Sequence, residues 1–116
     1  MAATPYNLTI EQGIPFGITF TVKNENGSNK DLTGYTARMH FRPYPSSSVL
    51  SFEGTTENLK LLINTATSTC SIALTEADTT SLNLNQYWYD IELVSSLGVP
   101  LRLTEGIVTL TFQVTR

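Results

Sequence analysis

The chain has 116 residues, of which 41% are hydrophobic and 15% charged, with a net charge of −3. That composition is of a size and kind that fold as one domain with a modest core, and it is neither disordered nor membrane-like. The acidic balance argues against a nucleic-acid binder, because phosphate affinity needs concentrated Lys and Arg.

The N-terminus, Met1-Ala2-Ala3-Thr4-Pro5, lacks the basic start and apolar stretch of a secretory signal. No apolar run approaches the roughly 20 residues of a membrane helix. The single cysteine, Cys70, rules out an internal disulfide and fits folding in a reducing cytoplasm. Two glycosylation triplets, at Asn7 and Asn26, therefore read as polar strand edges and turns.

In chain order, alternation with period two dominates. Leu8 and Ile10 alternate with Asn7 and Thr9. After a break at Glu11-Gln12-Gly13, Phe16, Ile18, Phe20 and Val22 form one apolar face of a strand. Asn24-Glu25-Asn26-Gly27 reads as a hairpin turn, since Asn-Gly accepts positive φ. Tyr35, Ala37, Met39 and Phe41 make the next apolar face, opposite Thr36, Arg38, His40 and Arg42. Pro43 to Ser48 must be a loop, because its prolines lack amide donors and its serines favour turns.

Short strands are expected at 49–53, 59–64 and 69–74, with Cys70, Ile72 and Leu74 inward. Thr75 caps one helical turn with acids at its start, ending near Leu82. Gln86 to Val94 is the strongest strand, carrying Tyr87, Trp88, Tyr89, Ile91, Leu93 and Val94. Ser95 to Gly98 turns it back into strands at 100–105 and 107–115, separated by a bulge or kink at Gly106. Eight or nine strands at this spacing, with one helical turn over 75–82, predict a single all-β domain, an immunoglobulin-like antiparallel sandwich over residues 1–116. Leu82 in a helical turn ahead of Tyr87 and Tyr89 matches the E–F corner of such sandwiches, where a tyrosine hydroxyl bonds to upstream backbone.

No constellation for catalysis, metal or cofactor stands out. His40 lies between two arginines, which works against a general base. Cys70 alternates with core residues and behaves as one. The acids are scattered, and no phosphate-binding glycine motif is present. An enzyme is not expected, nor a cofactor or small-molecule substrate.

The polar strand faces point to binding instead. Arg38, His40 and Arg42 line one strand and Asp90 and Glu92 another, in the positions of the neighbouring C and F strands. Arg38 or Arg42 is expected to face Asp90 or Glu92, each opposite-charge pair contributing roughly 0.2–1 kcal/mol. Such pairing accounts for most of the pattern, and a binding face for the remainder. Trp88 projects on the same side. It is either an interface anchor or is covered by the Pro43-to-Ser48 loop with Tyr44. The first strand, 6–10, and the last, 107–115, carry few charges and suit edge pairing with another chain.

Several stretches resemble small virion proteins of tailed bacteriophages. They are Leu8-Thr9-Ile10-Glu11-Gln12-Gly13, Asp31-Leu32-Thr33-Gly34-Tyr35-Thr36-Ala37, Tyr89-Asp90-Ile91-Glu92-Leu93, and Arg102-Leu103-Thr104-Glu105-Gly106 through Val114-Thr115-Arg116. The chain is similar in these to immunoglobulin-like attachment domains of baseplate and tail accessory proteins, such as the N-terminal part of upper baseplate proteins. The resemblance implies a non-enzymatic virion component made in the bacterial cytoplasm. It would act as a tail, baseplate or fibre-attachment adaptor and contact other virion proteins and copies of itself. A capsid decoration protein is the nearest alternative. A carbohydrate-binding module using Tyr44, Tyr87, Trp88 and Tyr89 is a more distant one. Candidate interface residues are Trp88, Tyr44, Arg38, His40, Arg42 and Arg116.

Overall fold

Side chains that change sides at every residue place the apolar rows of two sheets face to face. The computed structural model describes residues 4–114. In chain order the strands are β1 (Thr4–Pro5), β2 (Leu8–Glu11), β3 (Phe16–Thr21), β4 (Thr36–Arg42), β5 (Phe52–Thr55), β6 (Leu61–Asn64) and β7 (Thr69–Leu74). Helix α1 (Glu76–Ser81) follows, then β8 (Gln86–Val94) and β9 (Pro100–Thr111). One sheet runs β1–β9–β8–β4–β5, with β2 also paired to β9; the other runs β3–β7–β6. This is the immunoglobulin-like Greek-key order, with β4, β8 and β9 in the C, F and G positions.

The core forms where the inward rows meet. Met39 and Phe41 of β4 and Tyr87, Tyr89, Ile91 and Leu93 of β8 are buried against Leu61, Cys70, Ile72 and Leu74 of the other sheet. Phe41 packs its ring against Tyr87 and Tyr89, with centroids 5.9 and 6.1 Å away. Burial in this apolar layer pushes the Cys70 thiol up to about 11, so the side chain acts as a small hydrophobe.

The helical turn forms as its sequence predicts. Thr75 Oγ1 accepts from the Asp78 amide (3.2 Å) and Asp78 Oδ2 accepts from the Thr75 amide (2.8 Å), a reciprocal capping box. Burial pushes the Asp78 carboxyl up, but the Lys60 ammonium at 2.7 Å and the Thr75 bonds outweigh it and hold it below its ordinary range. Leu82 ends the turn in the core. The Tyr87 hydroxyl then accepts from the amides of Asn83 (2.8 Å) and Leu84 (2.9 Å), completing the expected tyrosine corner.

Four expectations need correction. First, the sandwich is not wholly antiparallel, because β1 and β2 pair parallel with β9 (Leu8 opposite Val108, Glu11 opposite Thr111). The first and last strands therefore cover each other, and β9 is an interior strand. Thr115, expected at the end of that strand, lies outside the described residues.

Second, β9 is continuous through Gly106. Its register slips instead at Leu103, since Ile91 faces Thr104 and Glu92 faces Arg102. Gly106 answers a different demand. A Cβ there would stand 2.3 Å from the Tyr6 carbonyl oxygen, so glycine lets the N-terminal segment approach.

Third, the strand expected at 49–53 begins later, leaving Val49 and Leu50 exposed in the loop. Arg42 Nη1 holds the Ser47 and Val49 carbonyls (3.4 and 3.3 Å), so the chain joins the sheet only near Phe52. Fourth, Leu59 is a turn residue with φ of 66°, and β6 starts at Leu61.

The tyrosine corner supplies a direct stability test. Tyr87→Phe removes the acceptor of two part-buried amide bonds. It is expected to lower unfolding free energy by roughly 1–3 kcal/mol in a urea titration, with the slope unchanged.

Candidate protein-binding face

The outward row of the β1–β9–β8–β4–β5 sheet is made by the same alternation that builds the core. Opposite Ala37, Met39 and Phe41 stand Arg38, His40 and Arg42. Opposite Tyr87, Tyr89 and Ile91 stand Trp88, Asp90 and Glu92. The register sets Arg38 beside Glu92, His40 beside Asp90 and Arg42 beside Trp88. On the far side of β8, Trp88 faces Ile107, Asp90 faces Glu105 and Glu92 faces Arg102.

The expected cross-strand pairing is present for one arginine. Arg38 Nε donates to Glu92 Oε1 at 2.8 Å, and its Nη2 reaches the same oxygen. Both side chains are partly exposed, so the pair contributes register more than stability. Arg42 is not paired with Asp90 or Glu92. Its guanidinium turns to the loop carbonyls and to His40 Nδ1 at 3.2 Å. Arginine has only donors, so Nδ1 must accept. The His40 Nε2–H then donates to Glu53 Oε2 at 3.1 Å. His40 thus links β4 to β5 and orients Arg42.

Asp90 instead finds Arg102, with Oδ2 and Nε 3.4 Å apart, while Arg102 and Glu105 lie 4.0 Å apart. Burial raises the Asp90 carboxyl above its ordinary value, Arg102 pulls it down, and Glu92 adds a further upward push.

These rows line an open trough of about 730 Å³. Pro5, Pro45, Trp88 and Ile107 supply apolar wall, and the arginines, His40 and the carboxylates supply the polar part. Trp88 is half-buried. The loop contributes Pro45 to the same trough, so it covers Trp88 at most in part. Tyr44 is 54% exposed on that loop and is not among the trough-lining residues. Arg116 lies outside the described residues. Tyr87 and Tyr89 are buried, which leaves a sugar platform with only Tyr44 and Trp88 of its four expected rings.

The contributions of Pro5, Ile107, Arg102 and Glu105 were not legible from the sequence. They depend on the parallel N-terminal strands and on the Leu103 bulge. The bulge changes which residue parity faces outward, so Arg102 on one side and Glu105 and Ile107 on the other share a face. The mixed pattern Leu-Arg-Leu-Thr-Glu-Gly-Ile-Val, in which alternation breaks once, was the available signal.

Two of the stretches that carry the sequence resemblance, at 8–13 and 31–37, make contacts that shape the fold. Asp31 Oδ1 accepts from the Thr33 amide and hydroxyl (3.0 and 2.7 Å), Leu32 is buried, and Gly34 takes φ of 80° in the turn before β4. Gln12 donates to the Leu82 carbonyl at 2.9 Å and accepts from the Gln113 amide at 3.0 Å. Gly13 donates its amide to Thr79 Oγ1 at 3.0 Å.

No protein-family model and no curated protein matches this chain. Among solved structures, extracellular domains 3–5 of Drosophila OTK align with a TM-score of 0.41 and 15% identity, over 90% of this chain and 32% of that one. The chain thus spans about a third of that structure.

The raised Asp90 carboxyl has a pH consequence. The folded state keeps its proton where the unfolded chain has released it, so this group subtracts stability as pH rises from 3.8 through the folded value. Asp90→Asn is expected to flatten that part of the stability–pH curve. Urea midpoints measured from about pH 3 to 6 check it, and an unchanged slope in the variant contradicts the assignment.

Proposed function

We propose that this chain is a non-enzymatic structural subunit of a tailed-bacteriophage virion, serving as a tail or baseplate adaptor that holds a protein partner on the Trp88 trough. The virion assignment rests on the sequence resemblance. The choice of surface rests on one observation, the half-buried indole of Trp88 set in an open trough beside Arg42, a cation whose described contacts are carbonyls and an imidazole.

That combination fits protein recognition physically. An aromatic ring that is already partly desolvated loses little entropy on binding, and Trp and Arg are enriched at the centres of interfaces. The ion pairs Arg38–Glu92 and Arg102–Asp90 surround it as a polar rim. Rim charges of both signs steer a partner into register more than they add affinity.

The test has two arms. Mass spectrometry of density-purified particles from the host that encodes the chain is expected to find it in multiple copies per particle. Its absence from them overturns the virion reading. Trp88→Ala, introduced into the same genome, is expected to yield a folded chain that incorporates poorly. Truncating a hot-spot residue weakens binding by about 2 kcal/mol or more, roughly thirtyfold. Full incorporation of the Trp88→Ala chain removes the trough from the interface.

A further inference from the structure

The outer edges of the two sheets are not equally protected. With β9 covered, the edges left among the described residues are the outer sides of β1 and β2, and strands β5, β3 and β6. On β5 the outward groups are already engaged, because Asn58 Oδ1 accepts from the Thr55 amide (2.8 Å) and Asn58 Nδ2 donates to the Glu53 carbonyl (3.1 Å). On β2, Gln12 donates its amide to the Thr111 carbonyl at 2.9 Å, which directs the even residues at β9. Only Thr9 and Glu11 then face out, and the Glu11 carbonyl accepts from Ile14. β6 is four residues long, and Leu61 and Ile63 are its outward positions.

β3 is different. Two bonds determine which way its backbone points. The Val22 amide donates to the Ser68 carbonyl at 2.8 Å, one step beyond the Thr21–Thr69 pair, so even residues of β3 bond towards β7. The Ala73 amide donates to the Lys60 carbonyl at 2.8 Å, so odd residues of β7 face β6 and Ile72 faces Ile18, which agrees. The amides and carbonyls of Gly17, Thr19 and Thr21 therefore point away from the sheet. No charge, proline or bulge interrupts Phe16–Thr21, and the inward row Phe16, Ile18 and Phe20 is only half-buried. Edges in folded proteins are usually blunted by one of those devices.

We infer that β3 is a self-association edge, on which a second copy of this chain pairs antiparallel through its own β3 about a two-fold axis at Thr19. The occupant follows from self-complementarity. In that register Gly17 stands opposite Thr21 of the second copy, Thr19 opposite Thr19, and Thr21 opposite Gly17. Every outward amide and carbonyl of the strand then exchanges bonds, because directly opposed outward residues form the doubly bonded pairs of an antiparallel ladder. Parity is preserved, so Ile18 meets Phe20 of the second copy on the core side, while on the solvent side Thr19 meets Thr19 and each Thr21 meets Gly17. Shifting the axis to Ile18 would put Pro15 opposite Thr21 and leave the Thr21 carbonyl without a donor.

Pro15 also ends the ladder at one side, and Lys23 lies just beyond it at the other. The product is one continuous six-stranded antiparallel sheet built from two three-stranded ones, a closed isologous dimer. It is independent of the virion reading, since it involves only this chain and lies on the sheet opposite the trough.

The experiment uses the purified full chain alone. Sedimentation at low ionic strength is expected to shift with concentration from the 12.8 kDa monomer to twice that mass. Amide exchange at Gly17, Thr19 and Thr21 is expected to slow as the dimer forms. Thr19→Lys and Thr19→Glu each place like charges face to face at the axis and are expected to weaken the dimer roughly fivefold or more. Mixing the two variants is expected to restore association as a heterodimer. Any one of four results overturns the inference: a monomer up to about 1 mM, a dimer whose new protection lies on β5 or β6, charge variants that dimerise like the parent, or a mixture that stays dissociated.

Discussion

The arrangement depends on where the first ten residues attach. In a sandwich of this order the N-terminal strand can extend either sheet, pairing with β3 on one side or with β9 on the other. Here it takes β9, and several polar groups hold it there. The Tyr6 amide donates to the Glu105 carbonyl at 2.9 Å and Asn7 Oδ1 accepts from the Ile107 amide at 3.0 Å. The hydroxyls of Tyr89 and Thr104 donate to the carbonyls of Tyr6 and Thr4. The missing Cβ of Gly106 makes the approach possible. With any larger residue there, the N-terminal backbone would have to move away from β9 and these bonds would lengthen together.

This one attachment has consequences on both faces. It turns β9 from an edge into an interior strand and brings Pro5 and Asn7 to the wall of the trough. It also withholds from β3 the neighbour that an N-terminal strand could have supplied. Two surfaces that look unrelated, a trough on one sheet and a bare edge on the other, trace to the same choice of partner. Electrostatics then divides them. The trough face carries Arg38–Glu92, His40–Glu53 and Asp90–Arg102, whereas β3 carries no charged side chain.

The sequence made the local rules legible. Period-two alternation identified β3, β4, β7 and β8 and the buried rows of Ala37, Met39 and Phe41 and of Tyr87, Tyr89, Ile91 and Leu93. The Thr75 cap and the tyrosine corner could be read because each is set by residues a few positions apart. What was not legible involves pairing between distant segments. No local signal says that Leu8 will lie parallel to Val108, or that Arg42 will spend its donors on loop carbonyls and so delay β5. Gly106 was recognised as special for the wrong reason, because a glycine inside a strand can mean a bulge or a close approach, and only the position of Tyr6 distinguishes them.

The two surfaces proposed for association differ in kind. Edge pairing satisfies backbone groups that are identical in every copy, so it needs no partner of different sequence and favours a symmetric assembly. The trough offers side chains of specific charge and shape, with Trp88 among them, and these can discriminate between partners. Because β3 lies in the three-stranded sheet and Trp88 in the other, pairing through β3 leaves both troughs of a dimer open. A dimer built in this way would present two equivalent sites, and a partner that repeats by symmetry would engage it through avidity, with no need for tight binding at either trough.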